Sequence, residues 1–110
     1  MNGKILALMD SSGMLTGVGR AHMAAVATVK NGSITSWDEI EVGWDITHES
    51  EAEGMHHANV AKFIQAHSAD MIVAAGAGPD MQRMLEKLGT KISLAAGAAR
   101  DAVESIAAKD

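Results

Sequence analysis

Two adjacent histidines, His56 and His57, are the side chains of this 110-residue chain that best suit metal binding. Both stand near the predicted start of a helix, where the positive end of the helix dipole disfavours imidazolium and so keeps imidazole neutral, as a metal ligand must be. Successive helical residues point about 100° apart, so one ion is not expected to contact both rings unless His56 lies before the helix. The alternative is one histidine that caps or packs the helix and one that lies in solvent.

A glycine-rich turn, Gly76-Ala77-Gly78-Pro79, follows a short apolar segment and precedes a second predicted helix. Glycine lets a ligand approach the backbone closely, and the first turn of a helix offers N–H groups that have no intrahelical partner. The turn has neither the spacing nor the lysine of the common nucleotide-binding loops. It is therefore a tight structural turn, or a loop centred on Gly76 and Gly78 that holds an anion or a metal cluster.

Three further positions carry groups that could bind a metal. His22 begins a predicted strand and could face the same end of the sheet as the glycine-rich turn. His48 could supply a nitrogen ligand beside Asp45, Glu49 and Glu51, although a solvent-exposed loop is the better interpretation of this group. Asp10 ends the first predicted strand, where a two-metal nuclease would place a carboxylate. No spacing supplies its partner acids, so a turn residue is the better interpretation of Asp10.

The composition excludes several classes of function. The chain has no cysteine, which excludes disulfides, thiolate zinc sites and cysteine-ligated iron–sulfur clusters. The net charge of −5 and the presence of only two Trp, one Phe and no Tyr argue against nucleic-acid binding, which depends on cationic side chains and aromatic stacking. No apolar run approaches the roughly 20 residues that span a bilayer, so we expect a cytoplasmic protein that does not enter a membrane.

Local patterns predict eight elements in the order β-β-β-α-β-α-β-α. The predicted strands cover residues 4–9, 22–29, 33–44, 71–75 and 91–94, and the predicted helices cover 53–67, 79–88 and 98–109. Asn31-Gly32 favours a type I′ turn between the second and third strands, and the later strands follow crossover helices, which makes them parallel. The prediction is a single α/β domain over residues 1–110, with a five-stranded mixed sheet in three α/β/α layers.

The spacing of apolar residues predicts which side chains face the core. The helix at 53–67 is expected to bury one stripe: His57, Val60, Ala61 and Ile64. The helix at 79–88 is expected to bury another: Met81, Met84, Leu85 and Leu88. The third strand alternates poorly around residues 36–39, which predicts an irregular or bulged hairpin. Trp44 is either buried by this alternation or part of a partner surface with Trp37.

Two segments of the chain are similar to a known family. GVGRAHMAAVATVKNGSI and GAGPDMQRMLEKLGTKISLAAG resemble the second-strand segment and the glycine turn with its helix in the dinitrogenase iron–molybdenum cofactor biosynthesis family. The resemblance extends from Ile5 to about Ala107, and it implies a ribonuclease H-like fold that binds or carries iron–sulfur precursors of the nitrogenase cofactor. Many members have a histidine before Gly-Arg-Ala, where this chain has Gly17-Val18-Gly19, and His22 lies close by.

The residues and the resemblance together predict a non-enzymatic carrier of an iron–sulfur or iron–molybdenum cofactor precursor cluster. His57 and His56 would be its metal ligands, and Gly76, Gly78 and His22 would complete the binding site. The expected partners are proteins that donate or accept the metal cluster. The alternative is a metal-free protein-interaction or regulatory module that keeps the fold without the ligands and binds no cofactor. A metal-dependent nuclease is a third class that the sequence does not favour.

Overall fold

The computed structural model of this chain describes residues 1–50 and 53–109. Five strands form one sheet: β1 (Gly3–Met9), β2 (Met23–Lys30), β3 (Ser33–Glu41), β4 (Met71–Ala74) and β5 (Lys91–Leu94). Their order across the sheet is β3-β2-β1-β4-β5. The β1–β2 and β2–β3 pairs are antiparallel, whereas the β1–β4 and β4–β5 pairs are parallel. The predicted α/β class and its five-stranded mixed sheet are confirmed.

The described helices lie on both faces of this sheet. They are α1 (Trp44–Ser50), α2 (Glu53–Ala66), α3 (Pro79–Leu88) and α4 (Ala99–Ala108), with a 3₁₀ turn at Val18–Arg20. Side chains of the first three helices pack on one face and those of α4 on the other, which gives three layers. Within the described ranges, no helix is long and apolar enough to cross a membrane. The ribonuclease H-like classification stays a prediction.

The central strand β1 supplies both halves of the core. Leu6 and Leu8 point to the face that α2 and α3 cover, where they join Leu85. Ile5 points to the opposite face and joins Val103 of α4. All these side chains are at most 1% exposed. Successive residues of a strand point to opposite faces, so the part of β1 that is covered on both sides, residues 5–9, is apolar at every position.

The hairpin between β2 and β3 forms at the predicted place. Asn31 and Gly32 have positive φ angles of 51° and 81°, as a type I′ turn requires. The register of the two strands shifts between Thr28 and Val29, which leaves Thr35 as the extra residue of a bulge. The predicted irregular partner strand is therefore confirmed.

The end of this hairpin differs from the prediction. β3 stops at Glu41, Gly43 adopts a positive φ of 63°, and Trp44 begins α1 instead of continuing the strand. The polar stretch expected to be a loop thus contains a helix. Trp44 is 6% exposed, whereas the next described side chains of α1 are exposed or partly exposed. One buried residue leaves no apolar stripe, so periodicity could not detect this helix.

Helix α2 is rotated relative to the predicted stripe. Val60 and Ile64 are buried as expected, but His56 is the buried histidine, at 3% exposure, while His57 and Ala61 are only partly covered. The rotation follows from α1, which places an aromatic ring against this side of α2. That contact is tertiary, and the spacing of residues within α2 does not encode it.

Helix α3 follows the prediction closely. Pro79 occupies its first turn, and Gly89 ends it in the left-handed conformation with a φ of 74°. Met81 and Leu85 are buried, and the other two residues of the predicted stripe are partly buried against the same core. This helix positions the glycine-rich turn that precedes it.

Candidate functional site

A cavity of about 300 Å³ lies beyond the carboxyl end of β4. Three parts of the chain line it: residues 17–20, which include the 3₁₀ turn; His56 and His57 on α2; and residues 76–81, which include the glycine-rich turn and the start of α3. This is the end of the parallel strands where ligands bind in open α/β sheets. The structure therefore brings His56, His57, Gly76 and Gly78 together around one space.

The two loops at this cavity are joined by backbone hydrogen bonds. The N–H of Val18 donates to the carbonyl oxygen of Gly76 over 3.0 Å, and the N–H of Ala75 donates to that of Thr16 over 2.7 Å. These bonds extend the pattern of a parallel sheet for one bridge, between Gly17 and Gly76. The loop at 17–20 is thus held beside the glycine-rich turn, and both loops have a defined position at the cavity.

The glycines of the turn keep the cavity open. A Cβ atom added at Gly76 or Gly78 would meet no heavy atom within 4 Å, and neither residue has a positive φ. Backbone conformation and packing therefore do not require glycine at these positions. The effect of the missing side chains is open space through which a ligand can reach the backbone.

The start of α3 presents backbone donors at the same place. Gly78 is the N-cap residue and makes no side-chain cap hydrogen bond. Pro79 has no N–H, so the donors of the first turn are those of Asp80 and Met81, which have no acceptor within the helix. The side chain of Gln82 donates instead to the carbonyl oxygen of Ala77 over 2.9 Å. The helix dipole and these N–H groups favour an anion at this end of α3.

His56 connects α2 to the loop at 17–20. Its Nε2 lies 3.0 Å from the carbonyl oxygen of Gly19, which only accepts, so Nε2 carries the proton. Its Nδ1 is enclosed by protein, and its ring meets the Trp44 ring edge-on with the centroids 6.5 Å apart. His56 thus fastens the loop at 17–20 to α2. Direct metal binding through Nε2 would require it to release Gly19.

His57 is the more accessible imidazole at the cavity. Its ring centroid lies 6.2 Å from that of His56, with the ring planes tilted by 48°, and its side chain is partly exposed.

The exposed Arg20 lines the cavity as well, although the sequence did not predict a role for it. The sequence feature that could have pointed to Arg20 is its position directly after the Gly17-Val18-Gly19 segment. Among the described residues that line the cavity, Asp80 is the acid, and its carboxylate pairs with Arg83.

His22 does not line this cavity. Its Nδ1 lies 3.0 Å from Oδ1 of Asp45, and its Nε2 lies 3.0 Å from Oε2 of Glu41. The hydrogen bond to Asp45 is the main cause that raises the pKa of His22 above its ordinary value, with Glu41 adding to the shift. His22 thus lies at the predicted end of the sheet, beside the carboxyl end of β1, but its ring pairs with two carboxylates and does not line the cavity.

The remaining candidates do not form a metal site in the described part of the chain. Asp10 accepts hydrogen bonds from the N–H and hydroxyl of Ser12 and from the N–H of Met14, which lower the pKa of its carboxyl group. This is the predicted turn role. Among described residues, no group of three or more His, Asp or Glu side chains is arranged to hold a metal ion. The group around His48 extends into positions 48–52, whose side chains lie outside the description.

The fold is shared with solved structures at low sequence identity. The protein PH0822 matches with a TM-score of 0.74 and 16% identity, over 94% of this chain and 88% of that one. A protein of Methanocaldococcus jannaschii provisionally described as a dinitrogenase matches with a TM-score of 0.72 and 12% identity, over 97% and 89%. A Thermotoga protein provisionally described as a NifB protein of the DUF35 family matches with a TM-score of 0.69 and 16% identity, over 94% and 86%.

Comparison of the sequence with known proteins does not assign the chain to a family. No protein-family model matches the chain, and no curated protein matches it. At identities of 12–16%, the three structural matches establish a common fold and nothing more specific. The chain therefore has the fold of proteins that carry provisional nitrogenase-related names.

Proposed function

We propose that this protein is a non-enzymatic carrier of an anionic metal cluster, of the iron–sulfur or iron–molybdenum cofactor precursor class. The observation that carries the proposal is the open, glycine-lined cavity at the end of the parallel strands, with His57 and Arg20 on its wall. The cargo would bind there between α2 and the start of α3.

The donor set suits an anionic cluster. His57 would supply a nitrogen ligand to one metal, and the N–H groups at the start of α3 would donate to the sulfides of the cluster. The guanidinium of Arg20 would offset negative charge. His56 would act mainly by holding the 17–20 loop through Gly19, and it would become a second ligand only if that hydrogen bond opened. Open space at Gly76 and Gly78 would let the cargo approach the backbone.

The absence of thiolates suits transfer. This chain has no cysteine, so a bound cluster would keep small thiolates or other exchangeable ligands at metals that His57 does not reach. Such binding is weaker than a site with four cysteine ligands, and the cargo can pass to a protein that offers cysteines. Metal-cluster donor and acceptor proteins would be the partners. The provisional nitrogenase-related names of the structural matches favour this class of cargo.

The test is anaerobic addition of a preformed iron–sulfur cluster with small thiolate ligands to the purified protein. We expect one cluster per chain, measured by visible absorption and by bound iron after desalting. The double variant H56A/H57A is expected to lose this binding. The matched control is His67→Ala, because His67 lies ten residues further along the chain, just after the end of α2, where its ring contacts that of Phe63. No retained iron in the wild-type protein would overturn the proposal.

A metal-free interaction or regulatory module is the second candidate. It is favoured by one observation: within the described ranges, no three His, Asp or Glu side chains are placed to hold a metal ion. In this case the cavity would have no metal cargo, and the protein would keep the fold without the ligands. A partner protein that binds equally well to wild type and to H56A/H57A would support this reading.

A further inference from the structure

The His22 ring lies between two carboxylates where β2, β3 and α1 meet. Its Nδ1 is 3.0 and 3.2 Å from the two carboxylate oxygens of Asp45, and its Nε2 is 3.0 Å from Oε2 of Glu41. An ionised carboxylate can only accept, so both ring nitrogens must donate to satisfy this geometry. The arrangement therefore requires the imidazolium form of His22.

The backbone around His22 joins several parts of the fold. Its N–H donates to the carbonyl oxygen of Met9 over 3.1 Å, and its own carbonyl oxygen accepts from Val42 and Gly43 over 2.9 and 3.1 Å. The N–H of Asp45 donates to the carbonyl oxygen of Ala21 over 3.2 Å. The segment that follows the 3₁₀ turn is thus tied to the first residues of α1 through both backbone and side chains.

This connection leads to the cavity by two routes. Ala21 and His22 directly follow Arg20, the last residue of the 3₁₀ turn that lines the cavity. On the other route, Trp44 precedes Asp45 in α1 and packs edge-on against His56, which in turn donates to Gly19. Two imidazoles therefore position the C-terminal side of the loop at 17–20, His56 at Gly19 and His22 just after Arg20, and α1 contacts both of them.

We propose that His22 is a positioning residue: its imidazolium, held by Asp45 and Glu41, helps to fix the Arg20 end of the Val18–Arg20 turn at the cavity, and its deprotonation loosens that end. The proton leaves Nε2 to solvent, because Glu41 has 72% of its side chain exposed and is freer to move away than Asp45, at 42%. The remaining Nδ1–H keeps its bond to Asp45. The positioning role of His22 is inferred from geometry alone. The further inference that it affects the binding of an anionic cargo rests on the proposed function.

The charges around His22 set the direction of the pH dependence. Glu41 from β3 and Asp45 from α1 are the charged groups that act on the ring, β1 contributes the backbone oxygen of Met9, and Arg20 stands two residues earlier in the chain. The two carboxylates raise the pKa of His22, Asp45 by the larger share. The Arg20 end of the turn is therefore held more firmly at lower pH and is loosened as the pH rises through this raised value.

The test is an NMR titration of the ligand-free protein from about pH 5 to about pH 9, the range in which imidazoles titrate. It follows the imidazole ¹H–¹³C signal of His22 and the backbone ¹H–¹⁵N signals of Val18 and Gly19. We expect the amide signals to change with the same midpoint as His22. In Asp45→Asn both midpoints should fall together, by more than in Glu41→Gln, and His67→Gln should leave them unchanged.

Two results would overturn the inference. One is a set of turn amides whose midpoint does not follow His22 when Asp45 is changed. The other is a titration of the Val18 and Gly19 amide signals that stays unchanged in His22→Gln, which would show that another group, such as His56, causes it. Because these measurements use no cargo, they do not depend on whether the protein carries a cluster.

A second measurement connects the positioning role of His22 to the cavity. Binding of the preformed thiolate-ligated cluster would be compared at about pH 6 and about pH 9 in wild type and in His22→Gln. We expect wild type to lose about threefold more affinity over this range than the variant, as for a modest exposed ion pair. Equal losses would overturn the link to binding. Failure of wild type to bind at either pH would contradict the proposed function and would leave the titration result to decide the positioning role.

Discussion

Two regions of this molecule contain histidines, and their neighbours give the rings different chemistry. At the cavity, His57 borders open space, backbone N–H groups and the cation of Arg20, so a neutral imidazole there can accept a metal. At the junction of β2, β3 and α1, both nitrogens of His22 meet carboxylates, which favour the protonated ring, and a protonated ring cannot act as a metal ligand. The identity of the residue is the same, and the charge of its surroundings decides its role.

The two regions meet at one buried residue. Trp44 lies next to Asp45 in sequence, contacts the His56 ring, and packs edge-on against Phe63 with the centroids 5.6 Å apart. Loss of this side chain would separate the carboxylate that holds His22 from the imidazole that holds Gly19. Substitutions can therefore test the difference between the two regions either at Trp44, which joins them, or within each region.

The largest effect is expected from Trp44→Ala. It removes a nearly buried aromatic side chain and leaves a cavity, so we expect a loss of about 3–5 kcal/mol in the free energy of unfolding. Trp37→Ala is the matched variant, because Trp37 is only partly buried and contacts the exposed Arg100 at 5.0 Å. It should cost roughly 1 kcal/mol. Denaturant unfolding measures both, and equal losses would contradict the assigned core position of Trp44.

The next prediction distinguishes a loss of the space available to a ligand from a loss of stability. Gly76→Leu places a side chain where the structure has open space, so cluster binding should fall more than tenfold while the free energy of unfolding changes by less than about 1 kcal/mol. Gly89→Ala should behave in the opposite way, because its φ of 74° strains any side chain and the position is remote from the cavity. We expect it to cost about 1–2 kcal/mol without a change in binding. Reversed results would contradict the assignment of the open space to a ligand.

The third effect concerns the pH dependence of stability at His22. Its folded pKa is raised above the unfolded value of about 6.5, so its contribution is fully present below that value and is lost as the pH rises through the folded pKa. His22→Gln should therefore be less stable than wild type in acid and equally stable in mild alkali. Urea unfolding of both proteins across this range measures the difference. A difference that grows with rising pH would have the wrong sign for this account.

The smallest effect is expected at Arg20. Arg20→Gln removes a cation from the exposed wall of the cavity, and we expect about threefold weaker cluster binding with a weaker dependence on salt. Arg100→Gln removes the same charge from α4, on the other face of the sheet, and should leave binding unchanged. If both variants weaken binding equally, the net charge of the protein matters and the position of Arg20 does not.

The sequence predicted the parts of the fold that local signals determine. Asn31-Gly32 specifies the hairpin turn, and Pro79 with Gly89 specifies the limits of α3, because each acts within a few residues of itself. The same rules placed the glycine-rich turn at the start of a helix. These elements position half of the candidate site, and they follow from the sequence without knowledge of tertiary contacts.

The other half of the site depends on contacts between distant residues. Trp44 begins a helix whose other described side chains are not buried, so no stripe marks α1 in the sequence. Its ring turns His56 toward the core and leaves His57 at the cavity, the reverse of the predicted stripe. Likewise, His22 pairs with Glu41 across 19 positions and with Asp45 across 23 positions, and no local pattern in the sequence encodes these contacts.

The most direct test of the central claim is pulsed EPR of the reduced iron–sulfur cluster bound to this protein. The account predicts a strong coupling to an imidazole nitrogen, because His57 is the accessible nitrogen ligand at the cavity. The coupling should disappear in His57→Ala and persist in His67→Ala, which changes a histidine just after the other end of α2. A coupling that survives in His57→Ala, or a bound cluster with no nitrogen coupling, would contradict ligation of the cargo by His57.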